Sequence, residues 1–385
     1  MIKKLLDVCD FQGGTQPPKN EWISQPKDGY IRMLQIRDYT QSDEKYIEYV
    51  LDTDKLHKCK EDDIMLSRYG YIGQAFIGLS GAYNVALIKV IKKMDINTKY
   101  LFYYFRSTYF QRHLLENVGA RATIPGFNKS ELIRAVIDVP DESCQIDIVK
   151  KLETVERIID IRKKQLQKLD ELIKDRFVEM FGLPGTDKFG WGTELLGDVC
   201  HINPKRILDS RTIGSMQVSF VPMQAVSEHG EIDVSDTRKY DDVKSGFTYF
   251  TENDVLFAKI TPCMENGKGA VARGLKNGIG FGSTEFHVIR PISGKTNPYW
   301  IYTLSSLANF RKDAADNMTG SAGQRRVPAK FLEKYVIAVP PIELQQEFEQ
   351  FVSQVNKSKF VLMKILNYPL LDMFFSRIFF NSSTV

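Results

Sequence analysis

Two glycine-flanked cationic loops stand about 200 residues apart: "GARATIP" at 119–125 and "GSAGQRRVP" at 320–328. The first offers Arg121 and Thr123, the second Gln324, Arg325 and Arg326. Arginine and glutamine are the side chains that pair with guanine and adenine edges, while threonine, lysine and backbone N–H groups hold phosphates. Two further pairs fit the same chemistry. "SRYGYIG" (67–73) carries Arg68 beside Tyr69, and "AKITP" (258–262) carries Lys259 and Thr261. Near the two starts lie "FQGGTQPPK" (11–19) and "NPKR" (203–206), the latter with Lys205 and Arg206. Any one of these is also what a solvated surface loop looks like. Their recurrence at matching places favours a surface that binds an anionic polymer.

Catalytic chemistry finds no comparable pattern. The five histidines (His57, His113, His201, His229, His287) are scattered, with no HxH or HExxH to hold a metal or drive acid–base work. "ENGKGAV" (265–271) has Gly-Lys but not the earlier glycine or the Ser/Thr of a phosphate loop. "INPKR" lacks the second proline and aromatic of an adenine-methyltransferase signature, and no GxSxG occurs. The five cysteines are far apart and odd in number, which suits a reducing cytoplasm better than a disulfide framework. No stretch has the roughly 18–20 apolar residues of a membrane span, and "MIKKLLDVCDF" has no signal-peptide apolar core. The expectation is a soluble cytoplasmic protein. A net charge of +4 is modest for a protein that only coats nucleic acid, but fits one sharing its surface between DNA and protein partners.

The elements that must position these loops come in two sets. "VIDVP" (136–140) returns as "VIAVP" (336–340), each followed five residues later by a glutamine, Gln145 and Gln345. "LLDVC" echoes "LLGDVC", "KEDDIMLSR" matches "TENDVLFAK", and "NTKYLFYYF" matches "TNPYWIYTL". All run in the same order, which indicates a duplicated domain and not a short solenoid repeat. Within each copy, short apolar runs such as 64–66, 85–90 and 255–257 read as strands between turns, with a helix near 100–116 and another near 298–316.

After each copy the pattern turns helical. From Gln145 to Phe181 there is no glycine or proline, and Ile148, Leu152, Val155, Ile159, Leu166, Leu169 and Ile173 form a stripe broken only by Arg162. This spacing predicts a coiled-coil helix of roughly 55 Å. Leu344, Phe348, Phe351, Val355, Leu362 and Ile365 supply a second stripe, so the two helices are expected to pair. Pro369 would kink the second, and "LLDMFFSRIFF" (370–380) is apolar enough either to fold back or to meet a partner. The expected layout is an α+β chain. Residues 1–140 form one domain, 141–182 a long helix, 183–340 a second domain, and 341–385 a second helix with its tail.

Taken together, "FQGGTQPP", "DDIMLSRYGYIG", "ATIPGFNKSEL", "VIDVP…Q", "NDVLFAKITPCMENGKGA", "TGSAGQRRVP" and "VIAVP…Q" resemble the DNA-specificity subunit of type I restriction–modification systems, over the whole chain. The resemblance implies two target-recognition domains separated by two long antiparallel coiled-coil helices, each domain reading one half of a split, asymmetric DNA site. It implies no catalysis and no cofactor in this chain. S-adenosylmethionine, ATP and Mg would belong to partners: two adenine N6-methyltransferase subunits, and restriction subunits with translocase and nuclease activity. Arg68, Tyr69, Arg121, Thr123, Lys205, Arg206, Lys259, Thr261, Gln324, Arg325 and Arg326 would meet DNA. Leu152, Ile159, Leu166, Leu169, Ile173, Phe348, Val355 and Leu362 would form the helix or partner interface. Three rivals remain: a standalone DNA-binding regulator, a fused methyltransferase or nuclease with motifs not recognised, and a pure coiled-coil scaffold, which leaves the paired cationic loops unexplained. If the loop assignment holds, Arg325→Ala or Arg326→Ala weakens recognition in one half-site and leaves the other intact; equal loss in both halves would remove it.

Overall fold

The computed structural model describes residues 1–41, 44–70, 72–117, 127, 129–206, 215–321 and 323–367. Pro369 and the apolar tail lie outside them. The chain divides into two compact units, one built from Met1–Arg162 and the other from Lys163–Ile365.

Each unit contains the same three sheets. In the first, Ile2–Lys4 pairs antiparallel with Val136–Asp138, so "VIDVP" ends as the strand that closes the module. In the second, Thr193–Leu195 pairs in the same way with Val336–Ala338. A four-stranded antiparallel sheet follows, ordered Cys9–Gly13, Leu87–Lys92, Met65–Ser67, Ala75–Phe76 in the first unit. Its counterpart is Cys200–Ile202, Phe286–Pro291, Val255–Ala258, Gly269–Val271. The third sheet is mixed: Tyr30–Leu34 runs parallel to Gly81–Tyr83, and Gln217–Val221 runs parallel to Ile279–Gly282. Close approach there demands glycine. A Cβ on Gly282 would lie 2.3 Å from the Val221 carbonyl oxygen.

Apolar strand faces and helices close a main core in each unit, with smaller clusters beside it. Leu66, Ile88, Tyr100, Leu101, Phe105 and Phe110 lie in the first unit's main core; Val255, Phe257, Ile289, Trp300, Ile301 and Phe310 in the second's. Cys9 and Cys200 are fully buried at matching positions after a short helical turn, and burial pushes both thiols up to about 12. The expected helix near 100–116 is two helices, Thr98–Arg106 and Thr108–Asn117. Its counterpart is Pro298–Ser306 followed by Ala308–Asp316. Ser107 breaks the first by accepting from Phe110 N–H through its hydroxyl. Leu307 breaks the second with the same extended backbone and no such hydroxyl, so the bend belongs to the fold and not to the residue type.

The first long helix spans Glu142–Phe181, three residues earlier than its sequence pattern suggests, because the Asp141 carboxylate accepts from Cys144 N–H and caps it. Its stripe is divided between the units. Val149 and Leu152 enter the first core, with Ile148 at the rim; Ile173, Phe177 and Phe181 enter the second, with Leu169 at the rim. Ile159 and Leu166 are half-buried. The second long helix, Ile342–Asn367, buries Phe348, Val352 and Val355 in the second core and leaves Leu362 half-buried.

Within the second unit the two helices run antiparallel: Asp170 meets Lys359, and Phe177 meets Phe348 with ring centroids 5.5 Å apart. Lys359 occupies the stripe position that follows Val355, yet its side chain is only 7% exposed, with Nζ 2.5 Å from Asp170. A charge at that depth is tolerated because the carboxylate partners it.

The sharpest shared device is an amide. Gln145 Oε1 accepts from Asn97 N–H at 2.9 Å while its Nε2 donates to the Pro140 carbonyl at 2.8 Å. Gln345 repeats this with Asn297 N–H and the Pro340 carbonyl, both at 2.9 Å, and adds the Lys295 carbonyl at 3.0 Å. Asn97 and Asn297 in turn cap the helices that follow them. Replacing Gln345 with Leu leaves these buried groups unpaired and is expected to destabilise the second unit by about 2 kcal/mol or more in urea unfolding. Lys359→Ala is expected to cost about 3 kcal/mol, and the paired change Lys359→Ile with Asp170→Leu far less.

Candidate nucleic-acid interface

In the second unit, four loop segments meet at one end of the antiparallel sheet. Lys259 follows the strand Val255–Ala258, and its N–H donates to the Glu285 carbonyl at 2.9 Å. Val327 N–H donates back to the Lys259 carbonyl at 2.9 Å, and Thr261 N–H to the Arg325 carbonyl at 3.0 Å. Thr319 and Arg326 exchange both main-chain bonds, which closes "TGSAGQRR" into a loop. The turn inside it needs Gly320, whose φ is +116°. Asn203, at φ +49°, joins from the other side: its N–H donates to the Val288 carbonyl and its Oδ1 accepts from Val288 N–H.

His287 locks the cluster from within. Its Nε2 lies 2.7 Å from the Val327 carbonyl, which can only accept, so Nε2 carries the proton. Its Nδ1 then accepts from Asn203 Nδ2 at 3.0 Å. Burial holds the imidazole below its ordinary range, and neighbouring Lys259 adds to this, so the ring is neutral. Sequence reading passed over Glu285, His287 and Asn203 as anchors of these loops. Of the three, Asn203 alone carries a local signal that could have found it, the Asn-Pro pair at 203–204 that marks a turn.

The side chains divide into engaged and available. Arg325 is engaged: its Nη2 donates to the Ala315 and Met318 carbonyls, satisfying the end of the helix Ala308–Asp316. Thr261 Oγ1 donates to Glu265 Oε1 at 2.7 Å. Arg206 donates to the Lys244 carbonyl at 3.0 Å and lies over the Tyr240 ring, 5.6 Å from its centroid. Arg326 holds Glu285 with two nitrogens, and this pairing draws the Glu285 carboxyl below its usual range. Lys259 Nζ, exposed Lys205 and the exposed Gln324 amide donate no side-chain hydrogen bond among the described residues.

The first unit builds the same end on a different surface. Arg68 N–H donates to the Ala86 carbonyl at 2.8 Å, as Lys259 does to Glu285. The Arg68 guanidinium lies 5.3 Å from the Tyr69 ring centroid, above a turn with Gly70 and Gly73 at positive φ. The "FQGGTQPP" loop packs beside it, so tightly that a Cβ on Gly14 would lie 2.1 Å from the Asn84 carbonyl oxygen. Arg121 and Thr123 lie outside the described residues.

The family model of the type I restriction modification DNA specificity domain matches this chain twice, over residues 1–171 and 189–367. The chain belongs to that family. The specificity-domain chain is 36% identical over 212 residues to the Type I restriction enzyme EcoAI specificity subunit of Escherichia coli, covering 54% of this chain and 34% of that one. It is 42% identical over 154 residues to the EcoEI specificity subunit of the same organism, covering 40% and 25%. The matched segments thus span about a third and a quarter of these relatives. A chain from a solved structure described as the structural basis of complex assembly and conformational transition of the type I R-M system superposes with TM-score 0.58. It covers 98% of this chain and 97% of that one at 16% identity, a likeness of fold.

Among the described residues no group of three or more His, Cys, Asp or Glu is placed to hold a metal, and no helix is long and apolar enough to cross a membrane. The site's chemistry is that of cations, amides and backbone N–H groups held on a rigid sheet end.

The depressed His287 couples this site to pH. The unfolded chain takes up a proton near pH 6.5, whereas the folded ring resists it. The unfolded state therefore binds more protons below that pH. Stability of the second unit should be full above about 6.5 and fall on acidification by up to about 1.4 kcal/mol per pH unit. Hydrogen exchange of Phe286–Pro291 between pH 7 and 5 measures this, and His287→Gln should flatten the dependence.

Proposed function

We propose that this specificity-domain chain is the DNA-reading subunit of a type I restriction–modification complex, each unit recognising one half of a bipartite, asymmetric site. The observation that carries the reading is the pair of equivalent sheet ends, where Arg68 and Lys259 make the same main-chain bond, to Ala86 and Glu285, but present different side chains. Equivalent frames suit one mode of docking on DNA; different side chains suit two different half-sites. Arg68 with Tyr69, and Arg121 with Thr123, serve the first half. Lys205, Arg206, Lys259, Thr261, Gln324, Arg325 and Arg326 serve the second.

Phosphate contacts from lysines supply affinity and register, and base-edge contacts supply sequence. Arg325 acts through the loop it braces, since its guanidinium is taken up by helix carbonyls. The long helices position two adenine N6-methyltransferase subunits, with restriction subunits joining them in the cytoplasm. S-adenosylmethionine, ATP and Mg act in those partners, where the target adenine is flipped out of the duplex.

Methylome sequencing of cells with and without the gene tests this directly: a bipartite N6-methyladenine motif should vanish on deletion, and its persistence would defeat the proposal. Lys259→Ala should weaken binding of cognate and non-cognate DNA alike, and lower the dependence of log K on log salt by about one.

A further inference from the structure

Arg326 and Glu285 form a pairing whose geometry leaves something unused. A guanidinium has five N–H donors in a fixed planar fork. Nε and Nη2 of Arg326 donate to the Glu285 carboxylate, at 3.0 and 2.7 Å, so one edge of the fork is held. Nη1 donates once, to the Gln324 carbonyl at 3.0 Å. Two N–H groups remain, one on each terminal nitrogen. The Arg326 side chain is 41% exposed, so water reaches it, and it lies on the loop that carries exposed Gln324. Two donors on adjacent terminal nitrogens match the O6 and N7 acceptors of guanine in the major groove.

A carboxylate so close to a DNA-binding loop would be unfavourable beside phosphates unless it served another group. Here it fixes the plane and direction of the fork, so that little side-chain freedom is lost when the base arrives. The equivalent of Glu285 in the first unit is Ala86, whose carbonyl makes the same main-chain bond but which has no carboxylate. At that position the first unit thus has no carboxylate to aim a guanidinium.

We propose that Arg326 reads a guanine in the half-site of the second unit, and that Glu285 is the positioning residue that aims it. This rests on the reading that the second unit binds DNA. The test uses the full chain in its assembled complex, on duplexes carrying the motif found by methylome sequencing. Each guanine is replaced in turn by 7-deazaguanine, which lacks the N7 acceptor. The wild-type complex should lose about 10- to 100-fold in affinity at one guanine of one half-site. Arg326→Lys should abolish the sensitivity at that guanine and leave the other half-site's discrimination intact, which also reports that the complex is folded. Glu285→Gln should reduce the sensitivity at the same guanine while non-cognate binding holds or strengthens, since a negative charge leaves the surface; a merely structural ion pair would lower both together.

The proposal is overturned if neither half-site contains a guanine, if the sensitivity survives in Arg326→Lys, or if that variant weakens all sequences alike, as a phosphate contact would. Those results leave DNA recognition by the chain standing. Absence of any gene-dependent motif would instead remove the underlying reading, and this inference with it.

Discussion

A buried glutamine amide ties each module to its long helix, and much of the architecture follows from it. Gln145 and Gln345 each bridge the proline that ends the closing strand and the N–H of the asparagine that starts a core helix. An amide can do this because it offers an acceptor and a donor in fixed relation, and because neither can return to water once buried. Strand end, helix start and core helix are thereby held together in each unit. The direction in which each long helix leaves its module is set by hydrogen bonds as well as by apolar packing.

The duplication has preserved backbone relationships more faithfully than side chains. Strand order and pairing sense recur sheet for sheet. Ser107 and Leu307 hold the same bend with different chemistry. Divergence concentrates where the frame does not need a particular residue: Arg68 against Lys259, and Ala86 against Glu285. It also reaches the helices. Ile159 and Lys359 stand 200 positions apart in matching stripes, one apolar and half-buried, the other charged, buried and paired with Asp170.

Much of the fold was legible because its signals are local and periodic. The two long helices and the strands at 65–67 and 255–258 lie where apolar spacing and turn residues place them. The parts that were not legible depend on partners distant in sequence. Lys359 looks like a gap in a stripe until Asp170, 189 residues earlier, is seen to neutralise it. His287 and Glu285 sit in or beside an ordinary strand, and only their bonds to Val327 and Arg326 make them part of the site. Arg325 and Arg326 are neighbours with one side-chain type, yet one braces a helix end and the other leaves a charged fork at the surface. Spacing cannot distinguish them, because the difference lies in which acceptors the fold brings near.

The loop at 319–327 is closed by main-chain bonds between Thr319 and Arg326 and laced to the next segment by main-chain bonds of Thr261 with Arg325 and Lys259 with Val327, beside the side-chain ties of Arg325, Arg326 and His287. Peptide groups are the same in every residue, so the main-chain part of this lacing does not depend on exposed side chains such as Gln324. A position such as Gln324 is therefore free to change its chemistry without disturbing the bonds that hold the loop in place.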